Sequence, residues 1–200
     1  MNMQINDGTG TGAAAKVAGS GRLAVDADDG ALAAAKAGKL YVLTTVSDHP
    51  SLATTGAGGV LALITNDDSS KKSLVIDSIL ASCSATALSV TVETNYTITT
   101  PGQVEAGVSI VSTNTAYPMG SSANATGYVW DESNNGITNV TAGTAIISTV
   151  LAAGPSELVS SGRIIVAPGG SIGISQIPIS GTPEVSFAIR FYEIDEAKGY

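Results

Sequence analysis

Charged side chains are scarce in this sequence, making up 13% of its 200 residues, about half the usual share of a globular protein. Seventeen acidic residues outnumber nine basic ones, which gives a net charge of −8 at pH 7. No lysine or arginine occurs between Ser73 and Gly162. A stretch of this length without a cation cannot neutralise a phosphate backbone, so the composition argues against nucleic acid as a partner.

Cysteine, histidine and aromatic residues are also rare. Cys83 is the single cysteine, which excludes an intramolecular disulfide and a cysteine-based metal site, and we expect it to be a small buried hydrophobe. His49 is the single histidine; because a metal would need further nitrogen or sulfur ligands, we expect it in a turn and predict no metal or cofactor. Aromatic residues account for 4% of the chain and alanine is abundant, which predicts a thin core that contacts between subunits supplement.

No apolar run approaches the ~18 residues that a membrane span needs. The first fifteen residues contain neither a cation nor the apolar segment of an export signal. We therefore expect a soluble protein with no membrane partner.

The composition changes near residue 40. Residues 1–40 are rich in glycine and alanine, and their large apolar side chains are widely spaced, so this segment cannot build a core of its own. Within it, residues 28–38 combine acids at the start, helix formers inside and glycine at the end, which predicts a short helix. We divide the chain into an extended N-terminal arm, residues 1–40, and a β domain, residues 41–200.

The β domain shows repeated short apolar runs bounded by turn residues, which predicts an all-β fold, a jelly-roll-like β-sandwich preceded by the extended arm with its short helix. Alternation is clearest in the last run, where the apolar residues from Val185 to Phe191 share one face. The apolar parity flips between Ile174 and Ile177, which predicts a bulge there. The predicted strands are 40–46, 60–64, 74–80, 88–92, 108–111, 128–130, 145–151, 163–166, 172–179 and 185–194.

Catalytic motifs are incomplete. Residues 169–173 satisfy G-x-S-x-G, but strand-like residues follow and no histidine lies downstream, so we predict a turn between strands rather than a nucleophile elbow. The acids at 26–29 have the wrong register for a calcium loop. Paired carboxylates for glycoside cleavage remain the least excluded enzymatic option, although we expect solvated surface acids; the available acids are Glu93, Glu105, Asp131, Glu132 and Glu157.

The longest candidate loop, residues 113–127, marks a possible contact tip of the domain. Tyr117, Tyr128 and Trp130 lie in or beside it and are the candidate tip contacts. They could form a platform on which a sugar stacks, while burial of Trp130 is the simpler interpretation.

The stretch DGTGTGAAAKV, residues 7–17, lacks the context of a nucleotide-binding loop. Lys16 stands four residues beyond Gly12 and is followed by Val17, whereas a Walker loop needs its lysine directly after the last glycine, followed by serine or threonine. A dinucleotide fingerprint would need a preceding buried strand, and the chain offers only three residues there.

This stretch, followed by the run RLAV at residues 22–25, resembles a segment that opens many virion proteins of tailed bacteriophages. The following YVLT, LALITN and LVIDSI runs, at residues 41–44, 61–66 and 74–79, are also similar. The resemblance implies a non-enzymatic structural protein of the particle: a head decoration, head-fibre or vertex protein, homotrimeric, assembled in the host cytoplasm and bound to the major capsid protein or another virion protein. It implies that the arm provides attachment through Asp7, Gly8, Gly10, Gly12, Lys16, Val17, Arg22 and Leu23. The alternative is a carbohydrate- or receptor-binding module of a phage fibre.

Overall fold

A computed structural model describes residues 30–44, 49–50, 59–67, 71–84, 88–98, 110–112, 125–129, 140–141, 143–178 and 184–195. From Ala31 onward these belong to one compact unit. The described elements are one helix and thirteen strands: α1 (Gly30–Lys36), β1 (Leu40–Thr44), β2 (His49–Pro50), β3 (Gly59–Asn66), β4 (Lys72–Cys83), β5 (Leu88–Thr94), β6 (Thr97–Ile98), β7 (Val111–Ser112), β8 (Ala125–Val129), β9 (Val140–Thr141), β10 (Thr144–Leu151), β11 (Gly154–Val166), β12 (Ser171–Pro178) and β13 (Glu184–Asp195).

Two antiparallel sheets contain most of these strands, which confirms the predicted all-β sandwich with one short helix. Sheet A has the order β11-β4-β13-β1-β7, and β2 also pairs with β13. Sheet B has the order β10-β5-β12-β3-β8, while β6 and β9 pair separately. Among the longer strands the chain passes repeatedly from one sheet to the other, so neighbours within a sheet are mostly distant in sequence.

The core lies between the two sheets and consists of the inward residues of both. The alternating residues of β13 from Val185 to Phe191 are all buried, as their pattern predicts. The rings of Tyr41 and Phe191 pack at a centroid distance of 5.7 Å. Cys83 is 3% exposed within this core, which confirms the prediction of a buried hydrophobe.

The helix ends where its sequence predicts. Gly38 has a φ of +70°, a conformation that glycine adopts without steric cost. Its amide donates to the Ala35 carbonyl at 3.0 Å, and the Lys39 amide donates to the Ala34 carbonyl at 2.7 Å. This pair of hydrogen bonds is a Schellman motif, which satisfies carbonyls at the end of the helix.

The predicted irregularity near Ser175 is present, but the extra residue lies on the neighbouring strand. The pairing of β12 with β3 shifts between Ile174 and Ser175, because Leu61 of β3 has no partner of its own. The pairing of β12 with β5 is regular there. The alternation of β12 therefore continues unchanged, and Gln176, opposite Val90, faces the core and is 1% exposed.

Other departures from the predicted strands come from tertiary pairing. His49 and Pro50 form β2 opposite Val185 and Glu184, where the sequence predicts a turn. β11 begins at Gly154, nine residues before the predicted start at residue 163, because its first half pairs with β4. Pro155 is compatible with this pairing because it lies near the start of an edge strand, where one backbone N–H donor can be missing.

Candidate functional site

Most of the residues predicted to make contacts lie outside the described part of the chain. This holds for Tyr117 and Trp130 of the tip, and for the arm residues Asp7, Gly8, Gly10, Gly12, Lys16, Val17, Arg22 and Leu23. Among the predicted arm and tip contacts, Tyr128 alone is described. The residues around Tyr128 are therefore the candidate site.

Tyr128 lies on β8, opposite Leu63 of β3. It packs against an apolar cluster on the outer face of sheet B, formed by Val60, Leu63 and Tyr96, all at most 8% exposed. Tyr128 is itself half-buried. One side of its ring is thus committed to packing, and only the remainder is accessible to a partner.

Tyr96 was not anticipated from the sequence as part of this site. The backbone of Asn95 has a φ of +62°, a left-handed conformation that asparagine tolerates better than most residues. Its amide donates to the Ser171 carbonyl at 3.1 Å, and the Ser171 hydroxyl donates to the Tyr96 carbonyl at 3.3 Å. These bonds direct the chain after β5 so that the Tyr96 ring lies over β12.

Gly173 of β12 provides the space for that ring. A Cβ atom at this position would lie 2.8 Å from the Ala62 carbonyl oxygen and 2.8 Å from Cε2 of Tyr96. Both contacts are shorter than real Cβ contacts. The close approach of Tyr96 to the sheet therefore requires glycine at this position.

Glu93 lies at the polar side of the cluster, and donors hold both of its oxygens. Ser175 Oγ donates to Oε1 at 3.1 Å, and the Gly143 amide donates to Oε2 at 3.2 Å. The buried Tyr96 hydroxyl lies near Glu93 and Ser175 but outside hydrogen-bond geometry with either of them. Burial raises the pKa of Tyr96 above its ordinary range, and the negative charge of Glu93 acts in the same direction. The arrangement stabilises the neutral phenol of Tyr96.

A second charged group lies at one end of sheet A. Lys72 Nζ donates to Glu193 Oε2 at 2.9 Å, and the two side chains are 39% and 6% exposed. The hydrogen bond to Glu193 raises the pKa of Lys72. Burial raises the pKa of the nearby Tyr41, and Glu193 adds to that effect. This group pairs a nearly buried carboxylate with a partly solvated cation at the boundary of the core.

The G-x-S-x-G stretch forms the predicted turn between strands. Gly169 has a φ of +76°, and the Gly170 amide donates to the Ala167 carbonyl at 2.9 Å. Ser171 opens β12, is 3% exposed and directs its hydroxyl to a backbone carbonyl. A strand rather than a helix follows, so the geometry of a nucleophile elbow is not formed.

The two described carboxylates among the glycosidase candidates do not face each other. Glu93 is on the outer face of sheet B, since Val92 beside it faces the core. Glu157 is exposed on sheet A and pairs with Leu80, whose neighbours Ile79 and Ala81 face the core. The two acids therefore lie on opposite outer faces of the sandwich, and the other candidate acids lie outside the described residues.

Within the described ranges, no group of three or more histidine, cysteine, aspartate or glutamate side chains could hold a metal ion. In the same part of the chain, no helix has the length and apolar character needed to cross a membrane.

Comparison of the chain with protein-family models, with curated proteins and with solved structures finds no match.

Proposed function

We propose that the protein is a non-enzymatic structural component of a tailed-bacteriophage particle, a capsid decoration, head-fibre or vertex protein attached through residues 1–40. The observation that carries the proposal is the N-terminal sequence segment, DGTGTGAAAKV followed by RLAV, which resembles the opening of such virion proteins. Its partner would be the major capsid protein or another virion protein.

The strand order supports a jelly-roll interpretation of the sandwich. Among the eight strands β1, β3, β4, β5, β10, β11, β12 and β13, the first, eighth, third and sixth are neighbours in sheet A. The second, seventh, fourth and fifth are neighbours in sheet B. This is the order of a double-sheet jelly roll, an architecture found in viral capsid domains and in lectins.

The composition of the N-terminal arm is compatible with a structural role. A Gly-rich arm gains binding energy only when a partner orders it, by strand addition or by lying in a groove. Lys16 and Arg22 are the arm's only basic residues before Lys36, so they are its natural contacts with an acidic partner surface. Residues 41–200 would project from the particle.

Incorporation into particles tests this proposal. Purified particles of the phage that encodes the protein should contain it, and an electron-microscopy map should locate it on them. Removing residues 1–25 should leave a folded β domain, judged by circular dichroism and its cooperative thermal transition, that no longer enters particles. Absence of the full-length protein from purified particles would overturn the proposal.

Charge reversal gives a finer test of the attachment arm. The variant Lys16→Glu with Arg22→Glu should reduce incorporation at least tenfold. The matched control is Lys71→Glu with Lys198→Glu, which changes the net charge equally at two residues outside residues 1–40 and should incorporate normally. Equal loss in both variants would indicate a charge effect without a specific arm contact.

The alternative, a carbohydrate- or receptor-binding module of a phage fibre, draws support from the same strand order, because lectin domains also use it. Tyr128 presents part of its ring on the outer face of sheet B. Glycan-array binding of the full chain, lost in Tyr117→Ala or Trp130→Ala, would favour this function. Absence of saccharide binding would leave the structural role.

A further inference from the structure

Among the described strands, β10 forms a sheet edge with a neighbour on one side only. It is the last strand of sheet B in the described part of the chain and pairs on one side with β5. Six of its first seven residues are exposed, and Ile147 is half-buried. Ile146 and Val150 are 44% and 59% exposed. The strand therefore presents backbone donors and acceptors together with β-branched side chains to the surroundings.

The edge of sheet A is protected in ways that β10 is not. Natural sheets block edge-to-edge pairing with charges, proline or bulges. β11 contains Pro155 and the exposed Glu157, and its pairing with β4 is interrupted by two register shifts. β10, with the sequence TAIISTVL, contains no charge and no proline, and a single register shift near Ile146 is its only such feature.

We infer that β10 is a homotypic association edge, where the β10 strands of two copies of this chain pair antiparallel and extend sheet B across a twofold axis. The composition of β10 favours a second copy as the occupant, because an uncharged strand rich in β-branched residues matches another strand of the same kind. Two copies with a net charge of −8 repel each other, and an uncharged edge is where they approach with the least repulsion. β10 is such an edge, since none of its eight residues is charged.

The positions of the exposed side chains are self-complementary about Ser148. An antiparallel pairing centred on this residue sets Ile146 opposite Val150 of the second copy, and Val150 opposite Ile146. Residues at equal distances from Ser148 lie on the same face of the sheet, so Ile147 of one copy lies opposite Thr149 of the other on the core side. Such reciprocal contacts are characteristic of an isologous twofold interface, and pairs of β-branched residues stabilise antiparallel neighbours.

The inference does not depend on the proposed virion function. A twofold contact produces an even number of copies, so the trimer expected from the phage resemblance would need a second contact surface. A pairing centred on Ser148 uses at most seven residues of β10, and so short a contact covers less than a standard-size interface. We therefore expect association that depends on protein concentration, with a Kd of roughly micromolar order.

Cysteine cross-linking of the full chain tests the pairing and its register. Ser148→Cys should form an intermolecular disulfide under mild oxidation, because directly opposite residues in antiparallel strands lie within disulfide reach. Thr144→Cys is the matched control on the same strand: its counterpart across the axis would be about 26 Å away, eight residues along the strand. We expect Ser148→Cys to cross-link at least tenfold faster. The buried Cys83 of the wild type should not cross-link.

The register also predicts how mixed cysteine variants cross-link. Because the bulge between Ala145 and Ile147 interrupts the register toward the start of β10, residues next to the centre provide the test. Ile147 should lie opposite Thr149 of the second copy, so a mixture of Ile147→Cys and Thr149→Cys chains should give the heterodimer in preference to either homodimer. Equal cross-linking rates for Ser148→Cys and Thr144→Cys would overturn the inference. Protection of Ser148→Cys from both cross-linking and iodoacetamide would show that another segment covers β10, and would also overturn it.

Solution mass provides an independent measurement. Sedimentation of the wild type at increasing concentration should show dimers, and Val150→Lys should shift the dissociation constant upward at least tenfold. Ile165→Lys is the matched control, since Ile165 is 50% exposed on the edge strand of sheet A. A wild type that stays monomeric at all concentrations, or equal effects of the two lysine substitutions, would contradict the assignment.

Discussion

The Nζ atom of Lys72 lies 2.9 Å from Oε2 of Glu193, joining the first residue of β4 to the last part of β13. Glu193 is the more deeply buried partner, at 6% side-chain exposure, while Lys72 is 39% exposed. The carboxylate therefore depends on this cation for compensation of its lost hydration.

Substitution of Lys72 by methionine should remove this ion pair from the nearly buried carboxylate. We expect Lys72→Met to lower the free energy of unfolding by about 1–2 kcal/mol, less than for a fully buried pair because water reaches Lys72. Urea denaturation at pH 7 measures the change. Lys39→Met, at an exposed position, is the control and should change stability by less than ~0.5 kcal/mol. Equal values for the two variants would contradict the role of the ion pair.

Stability should fall in alkaline solution. The pKa values of Tyr96, Tyr41 and Lys72 are all raised in the folded protein. Above about pH 10 the unfolded chain loses these protons while the folded chain keeps them, so the free energy of unfolding decreases as the pH rises. Below that range these groups are protonated in both states, and their contribution to stability is constant. Denaturation midpoints between pH 7 and pH 11 measure this effect.

Replacement of Tyr96 by phenylalanine should reduce this alkaline loss. Tyr96→Phe removes a buried hydroxyl that has no hydrogen-bond partner, so we also expect a gain of about 1 kcal/mol at pH 7. Tyr128→Phe, on the same outer face, is the control for the gain at pH 7 and should change stability less. A loss of stability in Tyr96→Phe would show that the hydroxyl makes a favourable contact in solution.

Two adjacent residues of β12 should respond in opposite directions. Gln176 faces the core, and neither atom of its side-chain amide makes a hydrogen bond; Gln176→Met keeps a similar volume and should raise the free energy of unfolding by about 1–2 kcal/mol. Ser175 donates to Glu93, so Ser175→Ala should lower it by about 1 kcal/mol. Thermal unfolding of both variants provides the comparison, and a destabilised Gln176→Met would contradict the inward orientation.

Asn66 joins three parts of the fold. Its Nδ2 donates to the Lys72 carbonyl at 2.8 Å and to the Val166 carbonyl at 3.0 Å, while its backbone bonds to the turn at Gly169 and Gly170. Asn66→Ala leaves two carbonyls without this donor and should cost about 2–3 kcal/mol.

Asn66→Asp separates hydrogen bonding from volume at the same site. The variant would direct a carboxylate at two carbonyl oxygens, so the pKa of Asp at this position should rise in the folded state. The free energy of unfolding of the variant should therefore decrease further as the pH increases above about 4. Asn66→Ala provides the control, since it introduces no titrating group. Parallel pH profiles for the two variants would contradict the proposed contacts.

The strength of local patterns explains which elements could be predicted. The helix near residue 30 has helix formers followed by Gly38, and in β13 every second residue from Val185 to Phe191 is a large apolar residue, so each is evident without tertiary information. β2 and the first half of β11 have turn-like compositions, and they are strands because β13 and β4 supply their hydrogen bonds. Such pairing cannot be read from a short window of sequence.

The candidate site could likewise be predicted from the sequence only in part. The sequence identifies Tyr128 as an aromatic residue near a long loop, but its packing against Leu63 and Tyr96 depends on strands that are distant in the chain. The closeness of Tyr96 to Gly173 likewise requires the left-handed turn at Asn95. The remaining arm and tip predictions fall outside the described residues and stay predictions.

By itself, the sequence determined the β-rich class, the inward face of β13, the end of α1 and the burial of Cys83, because these depend on alternation, on local backbone preferences and on the hydrophobicity of single residues. Only the tertiary structure decided the strand order, the inward position of Gln176 and the edge position of β10 among the described strands. Gln176 faces the core because the bulge lies on β3 and leaves the alternation of β12 unchanged, and an edge exists only where no further strand pairs. Both are properties of the assembled sheet and not of any single segment.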